Sequence, residues 1–159
     1  MSQNVNQFGM TKDTAVLDLT LGLNNSMACY FGTDSAELLP GEAVKLIDRG
    51  TADVAGLNPV VGKRASAADA EIFGLCVRSK KSSKAETGDI VDIALPGSVL
   101  NLVATGAMNR GKAVSADFAN PGQVIAQAAG TGPKIGTVLD KATQAGDIVR
   151  VLIEKGPAL

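Results

Sequence analysis

A chain of 159 residues is long enough for one hydrophobic core. Its formal net charge of −1 gives no strong overall electrostatic field that would attract nucleic acid or a membrane. It contains no His and no Trp, and aromatic residues make up 3%, which removes the commonest acid–base group and metal ligand and disfavours a surface that stacks on bases or sugars. The apolar residues are mostly Ala, Val, Leu and Ile, which suit thin, closely packed β-layers.

The cysteine content and the apolar patterning predict a protein made in a reducing cytosol. Cys29 and Cys76 are too few for a disulfide framework, and Cys76 lies in an apolar strand pattern that is typical of a buried free thiol. Residues 1–10 lack the apolar centre of a signal peptide, and no apolar run is long enough to span a membrane.

The first forty residues predict an extended arm followed by a leading strand. Residues 1–14 are mostly polar, with Phe8 and Met10 among their few apolar side chains, and such a segment orders on a partner. Residues 15–23 alternate leucine with small or polar residues, which predicts a half-buried strand. A turn follows at residues 24–26, residues 27–40 have no clear pattern, and we place a boundary between the arm (1–40) and a β-domain (41–159).

From Gly41 onward, short apolar runs recur at roughly ten-residue spacing between Gly, Pro, Asn and Asp. This rhythm predicts an all-β fold, a compact barrel or sandwich of short strands with the extended N-terminal arm outside it. Residues 65–71 predict a short helix, and residues 140–145 predict one further helical turn. The predicted strands are 42–48, 59–62, 72–78, 88–95, 98–104, 111–116, 123–127, 135–139 and 147–154.

One segment of the chain occurs twice. Residues 72–95 and 134–153 both consist of a β-branched run, a polar linker and a Gly-Asp-Ile-Val strand. In this alignment Phe73 matches Ile135, Gly74 matches Gly136 and Asp89 matches Asp147. Residues 41–48 resemble a third, weaker copy of the second half. The copies predict strand–turn–strand units, which are scaffold and contain no group that could do chemistry alone.

The segment Gly106–Ala113 comes nearest to an enzymatic motif, since it follows an apolar strand and fits the phosphate-loop pattern G-x-x-x-x-G-K. Ala113 lacks the hydroxyl group that would hold magnesium, and the residues after it predict a strand where the motif needs a helix. We therefore interpret this segment as a β-hairpin turn.

Two groups of charged residues are candidates for chemistry or binding. Asp89 and Asp147 stand at equivalent places in the repeat, and we interpret them as turn residues at the start of a strand, in preference to a catalytic carboxylate pair. A Ser-rich basic loop is either a solvated hairpin tip or a grip for an acidic partner or a phosphate, and it contains Arg78, Lys80, Lys81 and Lys84.

Residues 41–154 resemble the small capsid decoration (cement) proteins of tailed bacteriophages. The resemblance rests on Gly41–Leu46, Pro59–Val61 and Ile72–Gly74, on the Gly88–Ala94 strand, and on the closing segment Ile135–Val151. It implies a non-enzymatic β-protein that binds the outer surface of an icosahedral head and stabilises it. Its partners would be the major capsid protein and itself, as a homotrimer at three-fold positions or a dimer at two-fold ones.

On this hypothesis the protein has no cofactor, no metal and no catalytic residue, and it contacts neither a membrane nor nucleic acid directly. It is made in the host cytoplasm and ends on the capsid exterior of the virion. The arm and the basic loop then supply the contacts to the capsid or to neighbouring subunits, through Asn4, Val5, Phe8, Met10, Arg78, Lys80, Lys81 and Lys84.

Two other classes of function compete with the structural one. Residues 38–42 resemble a segment of the trimeric dUTP pyrophosphatases, but an aromatic substrate platform and an Arg-Ser-Gly triplet of that family are missing. A virion surface adhesion module is the other alternative, and it would be expected to display aromatic-rich loops, which this chain lacks.

Overall fold

The protein is all-β, as a computed structural model that describes residues 25–32, 37–48, 59–79 and 84–159 shows. The described residues contain no helix, so none is long and apolar enough to cross a membrane. The strands are short and are separated by turns, many with a glycine at positive φ. They are β1 (Ser26–Phe31), β2 (Ala43–Leu46), β3 (Val60–Arg64), β4 (Gly74–Ser79), β5 (Ile90–Ala94), β6 (Val99–Ala104), β7 (Ala113–Ala116), β8 (Gln123–Ala126), β9 (Pro133–Val138) and β10 (Ile148–Ala158).

The ten strands form two closed barrels of the same topology. The first barrel has the order β1-β3-β2-β4-β5, and the second has the order β10-β6-β8-β7-β9. In each barrel the first strand pairs in parallel with the third and antiparallel with the fifth, and the second strand pairs antiparallel with the third and fourth. The second barrel therefore repeats the first strand by strand, from β1/β6 to β5/β10.

The predicted repeat is confirmed as the closing strand pair of each barrel, β4–β5 and β9–β10. Gly74 lies opposite Val44 and Gly136 lies opposite Val114, so the two glycines are structurally equivalent. The interpretation of residues 41–48 as a third copy is wrong. That segment contains β2, whose counterpart is β7, so its true relative is the stretch after Gly111.

Two hydrophobic clusters hold the barrels. One cluster lies within the first barrel and includes Phe31, Val91 and Cys76. The other takes residues from both barrels, among them Leu75 and Val77 of β4 and Leu100 of β6, and so joins them. Alternation along β4 sends Cys76 into the first cluster and its neighbours Leu75 and Val77 into the second.

The prediction of a buried free thiol at Cys76 is confirmed, and Cys29 is likewise buried and unbridged. Burial is the main cause that raises the pKa of Cys29 to about 11 and the pKa of Cys76 further still. Both thiols are therefore packing groups of the first barrel.

Every strand predicted from residue 41 onward has an observed counterpart, but two other predictions fail. Residues 65–71 form no helix, because a turn at 67–68 is held by the Asp69 carboxylate, which accepts hydrogen bonds from the Ser66 amide and from Lys45 Nζ. Residues 140–145 contain bends and a turn but no helix. Strand β1 was not predicted.

The predicted arm (1–14) and leading strand (15–23) lie outside the described residues. The division of the chain between residues 40 and 41 stays a prediction. Strand β1, which precedes that boundary, is hydrogen-bonded into the first barrel through β3 and β5.

Candidate functional site

The loop that fits the phosphate-binding pattern closes one end of the second barrel. Strand β6 ends at Ala104 and β7 begins at Ala113, so a strand and not a helix follows the loop, as predicted. The hairpin interpretation is wrong, however, because β6 pairs with β8 and β10 and not with β7. The loop crosses the barrel end, where Met108 forms an isolated bridge with Ala142 and Gly111 turns at φ 79°.

Asp89 and Asp147 stabilise equivalent turns in separate barrels, so they form no carboxylate pair. Asp89 Oδ2 accepts the Glu86 amide at 2.9 Å. Asp147 Oδ2 accepts the Thr143 amide at 2.7 Å and the Thr143 hydroxyl at 2.8 Å. These bonds, the amide bond foremost, lower the pKa of Asp147. The turn interpretation is confirmed.

Two further carboxylates, Glu42 and Asp117, lie beside a cavity of about 240 Å³ between the barrels. Glu42 Oε2 accepts the Leu39 amide at 2.6 Å, and Asp117 Oδ1 accepts the amides of Ala119 at 2.9 Å and Asn120 at 3.2 Å. Both groups hold turns. Within the described ranges no three His, Cys, Asp or Glu side chains are grouped in a way that could hold a metal ion.

The structure places only part of the predicted contact set. Asn4, Val5, Phe8, Met10, Lys80 and Lys81 lie outside the described residues. Arg78 stands in β4, opposite Asp92 of β5 in the strand register. Lys84 Nζ lies 2.8 Å from Glu37 Oε2, and both side chains are about half exposed. Of the two described residues, Arg78 therefore lies in β4 itself and Lys84 in the connection from β4 to β5.

An ion pair that sequence reasoning missed lies at the equivalent place in the second barrel. Arg150 donates from Nε to Asp140 Oδ2 at 2.7 Å and from Nη2 to Asp140 Oδ1 at 2.6 Å, a two-point contact. Because Gly74 and Gly136 are equivalent, Asp140 occupies the position of Arg78, and Arg150 that of Asp92. The repeat alignment contained this signal, because one acidic and one basic residue stand at these two positions in both copies, with the order of the charges reversed.

The Asp140–Arg150 pair predicts an acid-dependent loss of stability. The Arg150 hydrogen bond is the main cause that lowers the pKa of Asp140 from 3.8. A carboxyl with a lowered folded-state pKa stabilises the fold fully above its unfolded pKa and loses that contribution as the pH falls through the folded pKa. We expect Asp140→Asn to melt below the parent protein at pH 6 and the difference to shrink below about pH 4. Melting temperatures of both proteins between pH 2.5 and 6 measure this, and a difference that is constant with pH would contradict it.

The described residues thus define a tandem-barrel β-protein in which the carboxylates of Glu42, Asp89, Asp117 and Asp147 stabilise turns. A family model, described as XM1 gp53 minor capsid protein, matches residues 6–153. The chain belongs to this family and is a phage capsid-associated protein.

A solved structure of a phage protein shares this fold. It is the crystal structure of the head fiber gp8.5 N base in bacteriophage phi29, which matches with a TM-score of 0.54 and 11% identity, over 86% of this chain and 99% of that chain. No curated protein matches the chain. The prediction of a phage capsid-associated β-protein is confirmed, and a location in the virion is supported.

Proposed function

We propose that this chain is a decoration protein that binds the outer surface of the phage head through the major capsid protein and stabilises the shell. The family match over residues 6–153 carries the proposal. The fold adds support, since the base of a phi29 head fiber is built in the same way. The protein acts without catalysis or a cofactor, as a homotrimer, and it contacts neither nucleic acid nor a membrane.

The proposed stabilisation depends on the many identical copies that bind to the symmetric shell. One copy makes only weak contacts. Many copies on a symmetric shell each bridge neighbouring capsid subunits, so opening the shell requires many of these contacts to break at the same time. The proposed contacts are those of the arm and the basic loop, Asn4, Val5, Phe8, Met10, Arg78, Lys80, Lys81 and Lys84.

Capsids assembled without this protein provide the test. We expect the purified chain to co-sediment with expanded capsids, to saturate at a fixed number of copies per capsid, and to raise the temperature at which packaged DNA is released. Unexpanded procapsids are the matched control for maturation. Absence of saturable binding to either shell would overturn the proposal. Addition of dUTP with magnesium is expected to leave the melting temperature of the chain unchanged, and a clear increase would favour the nucleotide-handling alternative.

The arm gives a second, more specific prediction. Deletion of residues 1–14 removes Phe8 and Met10 and leaves every described residue of both hydrophobic clusters in place. We expect the melting temperature to change little and the occupancy on capsids to fall at least about tenfold, because the arm's apolar contacts are made only on the partner. Full occupancy of the truncated protein would place the contact elsewhere.

A further inference from the structure

One end of the second barrel carries a group of exposed cations, Arg110, Lys112, Lys141 and Arg150, called here the basic end. The backbone brings them together. The Gly111 amide donates to Val138 O at 2.7 Å, and the Val138 amide donates back to Lys112 O at 2.9 Å. The Leu139 amide donates to Arg150 O at 2.8 Å. Lys141 lies two residues after Leu139 and directly before Ala142, which forms an isolated β-bridge with Met108 in the loop between β6 and β7.

The first barrel shows that the fold does not require these charges. Its corresponding end has the same backbone bonds, from the Gly41 amide to Cys76 O at 2.7 Å and from the Cys76 amide to Glu42 O at 2.8 Å. The positions of Arg110, Lys112 and Arg150 are occupied there by Pro40, Glu42 and Asp92.

Each barrel has a lysine directly before the residue that closes its isolated β-bridge, Lys84 before Ala85 and Lys141 before Ala142. The charges around the two lysines differ. In the first barrel Lys84 pairs with Glu37, whereas the residue corresponding to Glu37 in the second barrel is Ala107. Among the ion pairs between described residues, none involves Lys112 or Lys141. Lys141 instead lines an open cavity of about 320 Å³ with Met108 and Thr143.

Two carboxylates lie near the basic end, Asp140 and Asp147; Asp140 neutralises Arg150 and lies within electrostatic range of Arg110, and neither carboxylate forms an ion pair with Lys112 or Lys141. Asp140 is engaged in the two-point contact with Arg150. Asp147 accepts its bonds from Thr143 and Gln144. Arg110, Lys112 and Lys141 therefore present positive charge to solvent at one end of a chain whose net charge is −1.

We propose that the basic end docks on a carboxylate-rich protein surface of the phage head, an inference that rests on the proposed function. Charge complementarity selects the partner, and the cavity beside Lys141 can admit one acidic side chain. A protein partner fits better than nucleic acid because the residues of the basic end include no aromatic side chain for base stacking. This surface is distinct from the Arg78–Lys84 loop of the first barrel.

Charge reversal at two exposed lysines tests the inference on capsids that lack the protein. Lys112→Glu introduces the residue that the first barrel has at this position, so the backbone is known to accept it. Lys141→Glu reverses the charge at the cavity. Lys155→Glu is the matched control, because it makes the same change of net charge on the exposed part of β10 beyond Arg150. All variants are first checked for an unchanged circular dichroism spectrum.

We expect each of Lys112→Glu and Lys141→Glu to weaken capsid binding about tenfold, mainly through slower association, and Lys155→Glu to stay within about twofold of the parent protein. The parent's affinity should fall as salt rises from about 0.05 to about 0.5 M, a range over which exposed charges become screened. Parent-like binding by both lysine variants would overturn the inference while leaving the proposed function intact. Equal weakening by all three variants would also overturn it, as would stronger binding of the parent to duplex DNA than to capsids. A parent protein that binds no capsid would overturn the proposed function itself, and with it this inference.

Discussion

Gly136→Ala is expected to destabilise the protein by about 3 kcal/mol or more, at the upper end of the cost of overpacking a core. A Cβ atom at Gly136 would lie 2.4 Å from Leu152 O and 2.6 Å from Val151 Cγ1. The first contact is with a backbone carbonyl of the paired strand, so no side-chain rotation can relieve it. The strand must move, and with it the β9–β10 pair that closes the second barrel.

Gly106→Ala is the matched control for this prediction. A Cβ atom at Gly106 would meet no atom within 4 Å, and its backbone needs no left-handed conformation. We expect a change within about 0.5 kcal/mol, as is usual for surface substitutions. Urea denaturation of the three proteins measures the free energies of unfolding. A Gly136→Ala cost under about 1 kcal/mol would show that the strands separate more easily than their contacts indicate.

Phe31→Ala is expected to cost about 3–5 kcal/mol, the range for removing a fully buried phenyl ring. Phe31 is 1% exposed and is among the largest fully buried side chains of the described residues. It lies in the cluster of the first barrel, with Val91 and Cys76. Removal of the ring leaves a cavity that neighbouring aliphatic side chains fill only in part.

The effect of Phe31→Ala should reach the second barrel. Strand β4 contributes Cys76 to the first cluster and Leu75 and Val77 to the cluster that joins the barrels. We therefore expect one unfolding transition, shifted as a whole, in heat or urea. Met27→Ala is the control on the same strand, since Met27 is 38% exposed and a change of under about 1 kcal/mol is expected. Two separate transitions in the Phe31→Ala protein would contradict the coupling and show that the barrels unfold independently.

The sequence by itself determined the strands from residue 41 onward, because side chains that alternate between buried and exposed positions give an alternating pattern of apolar and polar residues in the local sequence. Val99–Ala104 has the burial pattern expected of a strand with one face inward. The duplicated Gly-Asp-Ile-Val segments could also be recognised from the sequence, because both barrels close with the same turn and strand. The resemblance to phage capsid proteins and the absence of His led to the class of protein that the family match supports.

Strand β1 was missed because its own residues give a weak signal. Ser26–Phe31 combines small, polar and aromatic side chains, and only Cys29 and Phe31 are fully buried. Its place is decided by two partners far along the chain, β3 in parallel and β5 antiparallel. A local pattern cannot supply that information.

Only the tertiary structure decided which strands are neighbours and which charges meet. The loop between β6 and β7 looked like a hairpin turn, yet barrel closure places β8 and β10 beside β6. The same closure gathers Arg110, Lys112, Lys141 and Arg150 at one barrel end, although they are spread over the second half of the sequence. Strand formation depends on residues two positions apart, whereas pairing depends on how the whole chain closes, and that information is distributed over both barrels.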